Sequence, residues 1–473
     1  MGKLVPVGLI EALPGDTFQH STSLLLRMSP LMAPVMHPVS IRIHHWFVPN
    51  RLMWDGWEDF ITGGKDGSGT ALPYPANTVP ITPTVGQVYD YLGLPLKTLP
   101  VGAVNMMPIT AYNRIYNEFY RDEDLAPEVA DDDGTVKQIA WEKDYFTSAR
   151  PWSQKGPSVS VPISGMAPIV GTGLPTFKDD VTGAGAGSSL VKEASAASAT
   201  TGIVTVNWSG TSAGLQWDDP QLQADLSMAT GGNIIDVRRA FALQRYQEAR
   251  AMYGSRYTEY LRYLGLSPAD SRLQRPEYLG GGKQTVSFSE VLRTGNETAA
   301  TTSPIGEMKG HGIAALRSNR YRYFCQEHGY ILTMLSIRPR TMYMDGLEKT
   351  WSRRTKEDYY QKELEFIGQQ EVYNREVYAA GTAEDNEIFG YNDRYQEYRH
   401  QYSQVTGEFR NLLDYWHLGR KFADTPVLNK DFIECDPSKR IFAEQTQNSC
   451  WLMVQHNVKA RRLLGHSTIG RVI

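Results

Sequence analysis

The stretch Val39-Ser-Ile-Arg-Ile-His-His-Trp-Phe-Val48 decides the fold class of this chain. Apolar and polar side chains alternate from Val39 to His44, which is the period of two of a half-buried β-strand. Pro49 ends the pattern. A second stretch, Tyr330 to Arg338, is apolar on both faces, as expected of a strand that is covered on both sides. These two stretches predict a β-sheet protein with a large core.

Shorter strand candidates lie far apart along the chain, at Thr285–Phe288, Ser158–Ile163 and Ile203–Val206. Long connections that contain proline separate them, such as Leu72 to Pro108. Short strands joined by long excursions favour a sandwich or jelly roll over a parallel α/β sheet. We therefore predict a mainly β fold in which residues 1–473 form a single jelly-roll domain with loop and helical insertions.

The charge balance limits the partners of the chain. Its 473 residues include 48 Lys and Arg against 52 Asp and Glu, a net charge of -4. This excludes a uniformly basic coat for nucleic acid, so any contact with a polyanion must come from a local patch. Three scattered cysteines indicate a reducing compartment or a fold that needs no disulfides. No apolar run approaches the roughly 18 residues of a membrane span, and we expect no export signal.

No catalytic motif emerges from the sequence. Gly280-Gly-Gly-Lys283 lacks the Ser or Thr that a phosphate-binding loop places next, and Asp131–Gly134 lacks the rest of a calcium loop. Cys325 precedes His328 by three residues, but a buried structural thiol is the favoured interpretation. His44-His45 places two imidazoles on opposite faces of a strand, which disfavours a shared metal. We predict a protein that is not an enzyme and that needs no cofactor or metal.

Residues 233–264 are predicted to be a helical insertion that Gly254 divides in two. Six arginines are spread over it: Arg238, Arg239, Arg245, Arg250, Arg256 and Arg262. One interpretation is a surface for nucleic acid. The other, which charged helix faces generally favour, is a solvated or interface face paired with Glu248 and Glu259. We predict contacts between subunits at Arg245 and Arg256.

Residues 164–216 differ from the rest of the chain because Gly, Ala, Ser and Thr dominate them. Such a composition cannot bury enough apolar surface to form a core of its own. It predicts a surface insertion rather than a linker between domains.

Two further features are typical of binding. The C-terminal tail, residues 459–473, carries Lys459, Arg461, Arg462 and Arg471 and no acidic residue, which favours a contact with a polyanion. Docking of the tail on its own barrel or on a neighbour is an equal alternative.

The second feature is aromatic. The chain has 26 Tyr and 10 Trp, and loops that contain proline or glycine carry Trp54, Trp57, Trp152 and Trp416. Such rings anchor interfaces when they meet a partner and fill the core when they do not. We predict that these four contact neighbouring subunits.

The same loops carry a resemblance to the major capsid proteins of the Microviridae, small icosahedral phages with single-stranded DNA, and above all to the gokushovirus-like branch. The matching stretches are Leu13–Phe18, Phe47–Leu52, Ala111–Glu123, Arg150–Gly156, Ala224–Thr230, Ser271–Gly280, Glu327–Tyr330, Phe389–Arg394, Val405–Arg410 and Leu413–Leu418. Ordered matches along nearly the whole chain are far more specific than any single motif. The C-terminus departs from the gokushovirus pattern because it is more basic.

The resemblance implies an eight-stranded antiparallel jelly roll, sixty copies of which close a T=1 shell around circular single-stranded DNA. It implies location in the virion, assembly in the host bacterial cytoplasm, and contacts with minor virion proteins and scaffolding proteins. It also implies that residues 164–216 form the family's variable protrusion, which engages a host receptor.

Two other classes of protein compete with the capsid interpretation. A β-sandwich carbohydrate-binding protein or glycosidase has the same architecture, although no pair of carboxylates stands out in the sequence. A single-stranded DNA-binding protein would bind nucleic acid as an isolated subunit.

Overall fold

The computed structural model describes residues 1–63, 74–159, 163–164, 169–172, 176–179, 185–186, 215–219, 222–224, 230–231, 234–254, 256–294, 305–401 and 403–463. The chain divides into two compact units, one of residues 1–155 and 247–473 and one of residues 156–246. Within the described ranges, no helix is both long and apolar enough to cross a membrane.

The strands are β1 Leu4–Ala12, β2 Thr17–Met28, β3 Val39–Pro49, β4 Ile163–Ser164, β5 Ile169–Gly171, β6 Thr176–Asp179, β7 Gly185–Ala186, β8 Leu215–Asp219, β9 Leu222–Ala224, β10 Thr230–Gly231, β11 Glu277–Thr285, β12 Ser287–Leu292, β13 Met308–Arg317, β14 Tyr321–Phe324, β15 Gly329–Pro339, β16 Gln369–Tyr373, β17 Ile388–Asp393 and β18 Cys450–Arg461. The α-helices are α1 Asn50–Met53, α2 Trp57–Thr62, α3 Val88–Tyr91, α4 Met107–Phe119, α5 Ile234–Tyr253, α6 Tyr257–Tyr263, α7 Asn374–Val377 and α8 Lys430–Ile433.

Two antiparallel sheets of the larger unit form a β-sandwich. Sheet I has the order β1-β15-β3-β11. Sheet II contains β12, β13, β2 and β18, and β14 follows β13 along the same edge of β2. Because β13 and β14 occupy one position in the sheet, each sheet has four strand positions. This arrangement agrees with the predicted eight-stranded jelly roll.

The core of the sandwich confirms the two stretches that predicted it. Val39, Ile41 and Ile43 of β3 are fully buried and pack with Leu24 and Leu26 of β2. On β15, the apolar residues of both faces are buried, as expected of a strand covered on both sides. Its second face contacts α4 rather than sheet II.

Helix α4 covers the outer side of sheet I. It begins beside Pro108, which suits the first turn of a helix because its missing N–H would have no partner there. Ile109, Tyr112 and Ile115 are buried against Leu332 of β15. The Tyr112 hydroxyl donates to the Leu4 carbonyl at 2.9 Å and accepts from the Lys137 N–H at 2.9 Å. This hydroxyl therefore fixes the edge strand β1 to the covering layer.

The segment Thr285–Phe288 is not one strand, as the sequence suggested. It contains the end of β11 and the start of β12, where the chain passes from sheet I to sheet II. Val286 lies between them, is buried, and donates its N–H to the Val39 carbonyl. A corner between two sheets keeps the same alternating pattern as a continuous strand, so the sequence alone does not distinguish them.

The predicted insertions contain short elements. Within 164–216 the described residues include β5, which pairs with β9 beyond this range, and β6, which pairs with β7 on one side and with β8 on the other. Residues 187–214, which include the predicted strand Ile203–Val206, lie outside the described ranges. In the region 233–264, α5 and α6 are separated at Gly254, whose positive φ of 91° suits glycine.

Candidate nucleic-acid interface

The basic C-terminal segment begins inside a long β-strand. Strand β18 pairs with β2 over twelve positions, from Cys450 opposite Met28 to Arg461 opposite Thr17. Lys459 and Arg461 therefore belong to an edge strand of sheet II instead of a separate tail. Arg471, the last basic residue predicted to bind, lies outside the described residues.

The register of sheet II brings distant cations onto one surface. Residues directly opposite each other in an antiparallel pair point to the same side of the sheet. Arg27 lies opposite Ile313 and Trp451, and Gln19 lies opposite Arg322 and Lys459. We call the outward side of sheet II the basic sheet face. Its strand positions are Thr17, Gln19, Ser21, Ser23, Leu25 and Arg27 of β2, Ser287, Ser289 and Val291 of β12, Lys309, His311, Ile313, Ala315 and Arg317 of β13, Arg322 and Phe324 of β14, and Trp451, Met453, Gln455, Asn457, Lys459 and Arg461 of β18.

The basic sheet face carries cations and no carboxylate at these positions. Its exposed cations are Arg27, Lys309, Arg317, Arg322, Lys459 and Arg461. Lys309 pairs with Glu307 at 2.9 Å. In the part of the chain that the structure describes, the other five have no ion-pair partner. On a chain with net charge -4, this face is a local field of one sign, which attracts polyanions.

The middle of the basic sheet face is apolar and open. Leu25 is 38% exposed, Trp451 48% and Met453 70%. Phe324, at the end of β14 near the cations, is 56% exposed. Flat exposed rings beside cations are the arrangement on which unpaired bases stack while phosphates contact the basic groups.

Arg462 differs from the two cations that precede it. Its guanidinium lies 3.4 Å from the Asp16 carboxylate, donates to the Glu11 carbonyl at 2.6 Å and sits over the Phe18 ring. These partners belong to the same chain. The predicted tail thus divides into residues that face solvent and one that fastens the end of β18 to its own barrel.

The four tryptophans predicted at interfaces are all partly buried within the chain. Trp54 and Trp57 form an aromatic group with Phe60, with ring centroids 5.1 to 6.4 Å apart. Trp152 lies under the Lys155 ammonium, and Trp416 packs edge-on against Phe409. Each ring keeps some accessible surface, so a neighbouring copy can still cover it.

The two arginines predicted at interfaces have different surroundings. Arg245 is exposed on α5. Arg256 pairs with Glu123 at 3.0 Å and donates to the carbonyls of Asn117 and Glu118 at the end of α4. Arg256 therefore stabilises a helix terminus inside its own chain, where a cation is favourable.

Comparison with known proteins decides the family. Residues 1–468 match the family described as "Capsid protein (F protein)". The chain is 37% identical to "Capsid protein VP1" of Bdellovibrio phage phiMH2K, over 91% of this chain and 84% of that protein. It is 34% identical to the protein of the same name from Chlamydia phage 1, over 94% and 89% of the two chains. For Spiroplasma virus 4 the identity is 28%, over 92% and 85%.

The chain belongs to this family of phage capsid proteins. Membership confirms the resemblance to the Microviridae and the predicted role as a major capsid protein. It also implies assembly into a shell of many copies and location in the virion.

A cleft of about 660 Å³ in the described part of the capsid protein is rich in carboxylates, as a glycosidase site would be. Four of these acids pair with neighbouring cations, namely Asp122, Glu123, Asp124 and Glu142, whereas burial raises the pKa of Glu259. Asp122 lies 2.5 Å from Lys143 and 3.1 Å from Arg150. Although burial acts in the opposite direction, Lys143 and Arg150 lower the pKa of Asp122 to about 2. Glycoside hydrolysis needs one carboxyl that stays protonated near neutral pH, and Asp122 cannot serve in that role.

The described residues contain no group of three or more His, Cys, Asp or Glu side chains arranged to hold a metal ion. His44 and His45 point to opposite sides of β3, the first toward Tyr120 and the second into the sandwich.

Sequence reasoning did not identify Arg27, Arg317 and Arg322 as part of the capsid protein's basic surface. They are separated from β18 by more than a hundred residues. Arg27 and Arg322 are the single Lys or Arg of their strands, and Arg317 shares β13 with Lys309. Only the register of sheet II places them on the same face as Lys459 and Arg461.

Proposed function

We propose that sixty copies of this capsid protein close a T=1 shell around circular single-stranded DNA, with the basic sheet face turned toward the genome. The observation that carries the proposal is the charge of this face. A shell made of acidic subunits needs a cationic inner surface to hold a polyanion. In the described part of each subunit, sheet II supplies five cations that have no ion-pair partner.

The contact we propose is independent of base sequence. Cations from four different strands, β2, β13, β14 and β18, lie at several positions over the sheet and can follow a flexible phosphate backbone. Trp451 and Phe324 add exposed rings for stacking, which every base supports because each has a π-face. Duplex DNA, whose bases are stacked on one another, would use the cations and not the rings.

We propose that the seams between subunits use the loop tryptophans Trp54, Trp57, Trp152 and Trp416, together with Arg245. Arg256 contributes indirectly, because it holds the end of α4 in place. Contacts of this kind are heterologous and close into rings around symmetry axes. The insertion 164–216 is proposed to engage a host receptor, and scaffolding and minor virion proteins to assist assembly in the bacterial cytoplasm.

The test replaces Arg27, Arg317, Lys459 and Arg461 with Gln and measures DNA per particle by the absorbance ratio and by gel analysis of extracted genomes. We expect particles of normal size with less DNA or with lower heat resistance. Unchanged genome content and heat resistance would reject the contact. Failure of the wild-type chain to form large closed particles would instead favour the carbohydrate-binding alternative, which predicts a monomer or small oligomer.

A further inference from the structure

Three histidines from three strands meet at one edge of the sandwich. His20 of β2 lies between His45 of β3 and His456 of β18, with ring centroids 4.7 Å and 5.3 Å away. His20 and His45 are fully buried, and His456 is partly buried. We call these three residues the histidine cluster.

His456 connects the edge strands of the two sheets. Its Nε2–H donates to the Val7 carbonyl of β1 at 2.9 Å. Strand β1 has an irregularity in its register between Pro6 and Gly8, so Val7 is an extra residue in the pairing with β15. At Gly8, a Cβ atom would lie 2.7 Å from the His456 ring. The bulge directs a carbonyl at the imidazole, and the glycine leaves room for the ring.

Neutral rings satisfy the hydrogen bonds of the cluster. A carbonyl only accepts, so His456 carries a proton on Nε2, and in the neutral ring its Nδ1 is an acceptor. This Nδ1 lies 3.2 Å from His20 Nε2 and 3.0 Å from the Thr22 hydroxyl. His20 Nδ1 in turn lies 2.9 Å from the Tyr321 hydroxyl. Full protonation of both His20 and His456 would place two N–H groups and two positive charges opposite each other across this contact.

The other groups that face the cluster do not compensate a charge. The Thr333 hydroxyl of β15 and the Ser318 hydroxyl, which lies between β13 and β14, contact the two nitrogens of His45 at 3.0 and 3.1 Å. Strand β1 contributes a backbone carbonyl and β14 the hydroxyl of Tyr321, whose pKa is raised by burial and by the nearby Cys325. These hydrogen-bond partners include no carboxylate.

We propose that the histidine cluster is an acid-sensitive latch that holds the C-terminal strand β18 on the sandwich at neutral pH and releases it on acidification. Strand β18 is suited to release because it is an edge strand, paired with β2 alone in sheet II. Besides the His456 bond, the other described hydrogen bond that ties this end of the chain to β1 comes from Arg462, the residue that follows β18. Opening would remove Trp451, Lys459 and Arg461 from the basic sheet face.

The sign of the pH dependence follows from burial. Desolvation, with a smaller contribution from His456, lowers the pKa of His20 to about 4, and desolvation with the neighbouring histidines lowers that of His45 to about 3. Release of β18 uncovers His20, which lies directly against His456, and the pKa of His20 then returns toward about 6.5. At pH values between the closed-state and the open-state pKa, the open state therefore binds more protons than the closed state. The closed state loses stability as the pH falls below about 6.5. For one histidine whose pKa is about 4 in the closed state and about 6.5 in the open state, the equilibrium constant for opening is roughly 20-fold larger at pH 5 than at pH 7.

The experiment is hydrogen–deuterium exchange with mass spectrometry on the full-length protein at pH 7 and pH 5, with exchange times corrected for the intrinsic rate. We expect the equilibrium constant for opening, measured on peptides from 450–461, to be at least roughly 20-fold larger at pH 5 than at pH 7. Peptides from β15 should stay protected at both pH values. The variant His20→Gln should lose much of this pH dependence, since the group that opening uncovers would no longer titrate. The control variant His400→Gln, altered at an exposed histidine outside both sheets, should behave as the wild type.

Equal opening of β18 at the two pH values in the wild-type protein would overturn the proposal, even if His20→Gln fails to fold. Opening of β15 to the same extent as β18 would also overturn it, because acid would then unfold the sandwich as a whole. Neither result depends on whether the basic sheet face contacts DNA.

Discussion

Removal of the cations from the basic sheet face should make the affinity for DNA depend less steeply on the salt concentration. Each phosphate contact to single-stranded DNA contributes a slope of about -0.7 to the plot of log affinity against log salt concentration. Five unpaired cations then predict a slope of about -3.5 for the wild-type subunit. Replacing Arg27, Arg317, Lys459 and Arg461 with Gln should bring the slope to about -0.7. Because all four side chains are exposed, we expect a stability change within about 0.5 kcal/mol.

The assay is fluorescence anisotropy of a labelled oligothymidylate with unassembled full-length subunits between 50 and 200 mM salt. Over this fourfold range, the wild-type affinity should fall about 100-fold and that of the variant about threefold. The matched control replaces Lys97, Arg354, Lys356 and Lys362, which are exposed outside sheet II, with Gln, so that it also removes four charges. A control variant with the same loss of slope would show that net charge, not this face, governs binding. A quadruple variant that keeps the wild-type slope would refute the reasoning.

Three further predictions concern the layers around the sheets. Tyr112→Phe should lower the free energy of unfolding by about 1–3 kcal/mol, because the Leu4 carbonyl and the Lys137 N–H would lose a buried partner. Denaturant unfolding measures this, and the exposed Tyr91→Phe should cost little; equal losses would contradict the role of the buried hydroxyl. Arg256→Ala should destabilise the subunit before assembly, whereas Arg245→Glu should leave the melting temperature unchanged and reduce particle yield in electron micrographs. Normal particle yield from Arg245→Glu would place that residue on a solvent face. Shortening of 164–216 should leave assembly intact and impair adsorption to host cells, and normal adsorption would count against a receptor role.

The sequence predicted the centre of the fold and not its edges. Val39–Val48 and Tyr330–Arg338 were predictable because buried strands carry a regular pattern of apolar residues. Strand β18 was not predicted, since its exposed edge position tolerates polar and basic residues at the positions where a covered strand has apolar ones. The segment 459–473 was therefore interpreted as a tail, although its first three residues end a strand.

The candidate site was predictable only in part. Lys459 and Arg461 were found because they are close in sequence. Arg27, Arg317 and Arg322 belong to the same surface through strand register, which is set by packing across the whole sandwich. The histidine cluster depends in the same way on three strands and on a bulge in a fourth.

A cryo-EM reconstruction of purified particles tests the central claim most directly. We expect sixty copies of the chain with the outward side of sheet II lining the interior, and density for nucleotides next to Trp451 and Arg27. A shell in which this side faces the exterior, or lies buried between neighbouring subunits, would contradict the account.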